Sequence, residues 1–230
     1  MRALCFLTFL GLFTLYTADV PANEAAENLP AGFVYADQVI PDLHVNLRYR
    51  GSDNFMGKPI DGYQGNRLIL THVAATALAK VQAALRPMGL SLLVYDGYRP
   101  QRAVDHFARW AMDPDDAVNK AEYYPDVDKS ELFAKGYIAD RSGHTRGSAI
   151  DLTLADAATG TALDMGTPWD FLGPESWPDY AGVTPQQRAN RLLLSALMSA
   201  HGFTVYPQEW WHFFLDNEPF PDTYFDFVVQ

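Results

Sequence analysis

Two short stretches of the sequence gather residue types that can hold a metal ion. Residues 141–154 read RSGHTRGSAIDLTL, with His144 among small polar residues and Asp151 seven positions later, between Ile150 and Leu152. Residues 209–214 read EWWHFF, with His212 three positions after Glu209. Imidazole nitrogen and carboxylate oxygen both ligate zinc, and a catalytic zinc keeps three protein ligands and one open position. Two histidines and an aspartate meet that count. Glu209, so near a candidate ligand, can sit beside the ion without binding it, where a general base is needed. Taken singly, each residue also fits an ordinary role. His144 suits a surface loop, Asp151 a hydrogen-bonded place at a sheet edge, and His212 a satisfied core position between aromatics.

The elements that must position these residues follow from periodicity. Residues 149–154 alternate as a strand, with Ile150, Leu152 and Leu154 on one face and Ala149, Asp151 and Thr153 on the other. Asp151 therefore points away from its apolar neighbours, on a face open to approach. Gly143 and Gly147 let the preceding loop fold back. LSLLVYD (residues 90–96) reads as a buried strand, and FTVY and WWHFFL as two closing strands, with Trp210 and Trp211 as strand core and pocket wall. Short strands are expected within residues 33–49. Helices are predicted over residues 68–85, 100–112 and 185–201, with a short one over 129–135 and a loop over 113–124. His72 and His106 fall on helices, and neither they nor His44 and His201 have a motif context. The glycine-rich residues 53–66 read as a covering loop, and residues 155–184, with Pro168, Pro174 and Pro178, as a long irregular excursion. Helices and strands mix without a βαβ rhythm. The predicted fold is α+β, a single domain with a central, largely antiparallel sheet flanked by helices and the metal site at the sheet.

The N-terminus reads as a targeting signal. Arg2 precedes an apolar run over residues 3–18, and Val20-Pro21-Ala22 offers small residues for cleavage. The run is shorter than the roughly 20 residues of a spanning helix. Residues 1–22 are thus expected to be a cleavable signal peptide, residues 23–32 a flexible leader and residues 33–230 the catalytic domain. A periplasmic or secreted protein follows, with no stable membrane span after cleavage. Cys5 is the only cysteine, so the mature chain has no disulfide and relies on its core or a metal. The net charge of −11, without a basic run, excludes nucleic-acid binding through phosphate neutralisation.

SGHTRGSAID matches the S-x-H-x-x-G-x-A-x-D pattern of zinc D,D-peptidases, and EWWH matches their second motif. DNFMGKPIDGY, DGYRPQRAV, EYYPDVDKSE, KGYIA, RGSAIDLTL and YFDF occur in family order. From about residue 45 onward the chain resembles the VanX-type D-alanyl-D-alanine dipeptidases of zinc D,D-peptidase family M15. The resemblance implies that His144, Asp151 and His212 bind one zinc ion. It implies that Glu209 is the general base and acid, that Arg99 stabilises the oxyanion, and that Tyr49 and Ser142 bind substrate. The implied reaction is hydrolysis of a small D,D-dipeptide, D-alanyl-D-alanine, to D-alanine, in wall turnover or D-alanine recycling. Arg99 and Glu209 then cancel, so the site buries no net charge. Two rivals remain. A D,D-carboxypeptidase or endopeptidase acting on peptidoglycan stems needs an open groove, against the two long covering segments. A non-catalytic, zinc-stabilised wall-binding module has no use for Glu209.

Overall fold

Strand β5 (Ala149–Asp156) is the axis on which the site is built. The computed structural model describes residues 29–230, so the expected signal peptide and most of the leader lie outside the described residues. In chain order the strands are β1 (Phe33–Tyr35), β2 (His44–Val45), β3 (Ile69–Thr71), β4 (Leu90–Asp96), β5, β6 (Phe203–Val205) and β7 (His212–Leu215). The α-helices are α1 (His72–Leu85), α2 (Gln101–Ala111), α3 (Lys120–Tyr123) and α4 (Pro185–Ala200). The main sheet has the order β2-β4-β5-β7-β6, and β1 and β3 form a separate pair. All neighbours in the main sheet are antiparallel except β2 and β4. This is the predicted α+β arrangement. Among the described residues, no helix is long and apolar enough to cross a membrane.

The alternation read from residues 149–154 is preserved, but the expected open face is covered. Leu152 and Leu154 are fully buried, and Asp151 is only 2% exposed. The roof is built from the predicted covering segments. Within residues 53–66, buried Asn54 donates to the carbonyls of Gly51 (2.8 Å) and Lys58 (2.9 Å) and accepts from the N–H of Met56 (3.0 Å). These bonds satisfy backbone groups that a loop would otherwise leave to water. They fix Phe55 against Tyr49, Phe107 and Trp110.

One side chain ties three points of the excursion after β5. Buried Arg191 of α4 donates to the carbonyls of Met165 (2.7 Å), Trp177 (2.8 Å) and Glu175 (2.9 Å). A guanidinium's fixed fork suits such multiple acceptance. Helix α4 itself starts at a capping box. The Thr184 hydroxyl accepts from the N–H of Gln187, whose side chain accepts from the N–H of Thr184.

Boundaries differ from the sequence reading in several places. The first predicted helix begins at His72, because Ile69–Thr71 pairs with Phe33–Tyr35 and the Thr71 hydroxyl caps α1 at Ala74. Pro100 has extended backbone and precedes α2. The predicted loop over 113–124 contains α3, and the predicted helix over 129–135 is reduced to a 3₁₀ turn at Lys129–Glu131. Trp210 and Trp211 are buried in the turn before β7, outside the strand. The Trp210 indole N–H donates to the Thr167 hydroxyl at 2.8 Å, which ties it to the excursion.

The last residues close the structure. The Phe225 N–H donates to the carbonyl of Thr145 (3.0 Å), and the Phe225 carbonyl accepts from Gln101 at the start of α2 (3.0 Å). Val229 exchanges backbone bonds with Gly62, Gln64 and Gly65 of the covering loop. A Cβ on Gly65 would lie 1.5 Å from the backbone of Gln230, so this approach requires glycine.

Candidate active site

Local geometry delivers His144 first. It sits in a 3₁₀ turn, Gly143–Arg146, capped by the Ser142 hydroxyl, which accepts from the His144 N–H at 3.2 Å. Gly147, at φ +79°, ends the turn and hands the chain to β5, and a Cβ there would strike Phe33 at 2.2 Å. Sheet register brings the other two residues together. Asp151 on β5 and His212 on β7 are direct cross-strand partners. Their side chains meet on one face, the Nδ1 of His212 2.8 Å from the Oδ1 of Asp151. The Nε2 of His144 lies 3.2 Å from that same oxygen and 3.0 Å from the Nδ1 of His212.

The donor set fits a divalent cation. The Nδ1 of His144 lies 2.7 Å from the carbonyl of Gly97, an acceptor, so the ring proton of neutral His144 resides there and Nε2 keeps a lone pair. Nε2, a carboxylate oxygen and the Nδ1 of His212 then converge, with at most one proton among them for a neutral His212. All three side chains are buried, and one ligand atom from each lies within 4.8 Å of the others. Burial pushes the His212 pKa down to about 4, so the ring is neutral near pH 7. Burial opposes ionisation of Asp151, but the two histidines outweigh it and hold the carboxyl well below the usual range. Neutral imidazoles and an ionised carboxylate are the forms that bind metal.

Glu209 and Arg99 flank this triad, as the sequence implied. The Oε2 of Glu209 is 3.7 Å from the Nδ1 of His212, near the triad but outside hydrogen-bond reach. Burial, then the charges of Asp151 and Asp170, push its pKa well above the ordinary carboxylate value. Such a carboxyl can accept a proton and give it back near neutral pH. Arg99 donates from Nε to Asp96 (2.8 Å) and from Nη2 to Asp151 (3.4 Å). Its guanidinium also lies 5.1 Å from the ring centres of both Tyr49 and Phe107. Charge pairing and stacking together fix its orientation.

Two further carboxyls were not singled out in the sequence. Asp96 ends β4, is fully buried, and accepts from Arg99 and from the Tyr63 hydroxyl at 2.6 Å. Asp170, in the excursion, is 6% exposed and accepts from the Tyr49 hydroxyl at 2.9 Å. Burial, then the charge of Asp151, push its pKa well above normal. The only sequence signal was the one Asp151 also gave, an acid in apolar company, here between Trp169 and Phe171. These two acids correct the expected charge balance. Four carboxyls, not two, face Arg99, and burial is the first cause that pushes the pKa values of Asp96, Asp170 and Glu209 up.

Asp151 and His212 line a cavity of about 190 Å³, together with Arg99 and Glu209. Its lining includes Tyr49 with its neighbours Phe55, Phe107 and Asp170, and Phe214 with its neighbours Gly143 and Tyr206. Ser142 also lines the cavity, its hydroxyl oxygen used by His144 and its proton available to a ligand. The Tyr49 hydroxyl is committed to Asp170, so Tyr49 reaches the cavity through its ring and through that carboxyl. Gly143 is required by packing, since a Cβ would come within 2.6 Å of the Phe214 ring.

Comparison with known proteins shows the family. The model of peptidase family M15, described as D-ala-D-ala dipeptidase, matches residues 30–230. A D-alanyl-D-alanine dipeptidase of Streptomyces coelicolor is 44% identical over 197 residues, covering 86% of this chain and 98% of the relative. One from Enterococcus faecalis is 44% identical over 199 residues, with the same coverage. One from Escherichia coli is 40% identical over 175 residues, covering 76% of this chain and 80% of the relative. With this similarity running along nearly the whole described chain, the protein belongs to the peptidase M15 family of D-ala-D-ala dipeptidases.

Proposed function

We propose that this chain hydrolyses D-alanyl-D-alanine to two molecules of D-alanine, with one zinc ion held by His144, Asp151 and His212. The observation that carries the reading is the small cavity lined by Asp170, Glu209 and two members of the three-ligand set, Asp151 and His212. When bound, zinc supplies Lewis acidity that polarises the peptide carbonyl and makes water a nucleophile near neutral pH.

The chain's own groups do the rest. Glu209 removes a proton from the attacking water, a transfer its raised pKa favours, and returns that proton to the departing amine. Arg99 is held by Asp96 and by two aromatic rings, so its charge is in place before negative charge develops on the carbonyl oxygen. Such preorganisation stabilises the transition state more than the bound substrate. Asp170 accepts the substrate ammonium and supplies the charge that this cation needs, while Tyr49 orients the carboxyl. Ser142 offers its hydroxyl proton to the substrate. A cavity of about 190 Å³ is below the roughly 300–1,000 Å³ of drug-sized sites, which favours a dipeptide over a peptidoglycan stem.

The test is a substrate panel. Zinc-loaded protein is incubated with D-Ala-D-Ala, L-Ala-L-Ala and a pentapeptide stem, and released alanine is measured. Release from the D,D-dipeptide alone is expected. Release from the stem moves the assignment to a carboxypeptidase, and zinc binding without any hydrolysis to a binding module. The apolar N-terminal run supports export and a role in recycling D-alanine from wall turnover. Cell fractionation tests this, since mature protein in the cytoplasm refutes it.

A further inference from the structure

We propose that Arg141 recognises the carboxylate end of the dipeptide and thereby makes a free C-terminus a condition of productive binding. The inference rests on the dipeptidase reading above and identifies a specificity residue within it.

A dipeptide near neutral pH is a zwitterion whose ammonium and carboxylate lie about 6 Å apart, on either side of the peptide carbonyl. Asp170, on the wall of Tyr49 and Phe107, matches the ammonium. The carboxylate then needs a cation across the triad. Two arginines line the cavity, Arg99 and Arg141. Arg99 is already shared between Asp96 and Asp151. Arg141 is exposed and, among the described residues, has no carboxylate partner. It immediately precedes the Ser142–Gly143 turn, where Gly143 packs against Phe214, and both line the cavity with Asp170.

Arg141 is also supported from behind. Its guanidinium lies 4.7 Å from the centre of the Tyr224 ring. Tyr224 in turn accepts from Nη1 of Arg146 at 3.3 Å, and Arg146 is paired with Glu218 at 2.8 Å. Stacking on a ring occupies the face of a guanidinium and leaves its N–H edge for a bidentate carboxylate. In a chain of net charge −11, an unpaired cation beside a cavity lined by acids orients an incoming zwitterion, carboxylate toward Arg141 and ammonium inward. Asp170 and Arg141 together then favour a substrate that carries both charges.

The experiment compares D-Ala-D-Ala with D-alanyl-D-alaninamide in the wild type, Arg141→Gln and Arg141→Lys. Arg141 is exposed, and circular dichroism verifies that the variants fold. The wild type is expected to prefer the acid over the amide by about 10- to 100-fold in kcat/KM, through KM. Arg141→Gln removes that preference by weakening only the acid, and Arg141→Lys restores part of it. Calorimetry in a Glu209→Gln background, where turnover is suppressed, should show the same loss in Kd for the acid alone. Equal losses on acid and amide, or a preference surviving in Arg141→Gln, overturn the assignment. Should the wild type hydrolyse neither compound, the dipeptidase reading fails, while the calorimetric comparison still decides whether Arg141 binds a carboxylate.

Discussion

Replacing Asp170 with asparagine separates what this carboxyl does for substrate from what it does for the fold. Asp170 has φ +63°, in the left-handed region that asparagine tolerates about as well as aspartate. The asparagine side-chain oxygen can still accept from the Tyr49 hydroxyl, so the backbone and that bond survive. Only the charge is lost. Hydrogen bonds to charged groups contribute about 1.5–3 kcal/mol, against about 0.5–1.5 kcal/mol for neutral ones. The substrate ammonium therefore loses roughly 1–2 kcal/mol, and kcat/KM for D-Ala-D-Ala falls about 5- to 30-fold. The ammonium does not change during the reaction, so the loss is uniform and appears mainly in KM. Propionyl-D-alanine, which lacks the ammonium, serves as the control substrate, and its kcat/KM should not fall. Stability should move the other way. Because the folded pKa of Asp170 is raised, the folded chain keeps a proton that the unfolded chain releases above about pH 4. Stability then falls with rising pH between the unfolded and the folded pKa. Asparagine removes that penalty, so metal-free Asp170→Asn should be at least as stable as the parent, with an advantage that grows across this window. Equal losses on both substrates, or a lower Tm, would refute the reasoning by showing a merely structural carboxyl.

Three further outcomes follow from the site. Zinc at a hundredfold excess over its Kd should stabilise the metal-free protein by about 2.7 kcal/mol. At this chain length that raises Tm by roughly 5–10 °C in a fluorimetric scan, and His144→Ala should abolish the shift. Arg99→Lys keeps a charge but not the fork that spans Asp96 and Asp151. It should lower kcat about a hundredfold, with one zinc per chain still found by elemental analysis. Gly143→Ala places a methyl 2.6 Å from the Phe214 ring, which is itself 4.4 Å from the His212 ring centre. Chelator competition should show zinc held about tenfold more weakly, the usual cost of disturbing a ligand's support.

What was legible in the sequence depended on how local the cause was. Helix α4 was readable because its helical pattern and the closing Gly202 lie within one short window. Strands β4 and β5 were readable from apolar content and alternation. The start of α1 was not, because residues 69–71 are claimed by pairing with Phe33–Tyr35, a partner more than thirty residues away that no local propensity reveals. The same contrast runs through the site. His144, Asp151, Glu209 and His212 carry a spacing pattern, whereas Asp96 and Asp170 owe their place to folding alone. Their burial was invisible in sequence, and with it the upward push on their pKa values. Gly143, unremarkable as a loop glycine, is explained only by the ring of Phe214, contributed from β7.

The backbone bond between Phe225 and Thr145 makes one short segment a shared support for two distant parts of the site. Thr145 adjoins His144, and its carbonyl accepts from the Phe225 N–H. The same segment pins the covering loop through Val229. A single proteolytic cut in the stretch between β7 and Phe225 would loosen the metal turn and its roof together, with every catalytic side chain untouched.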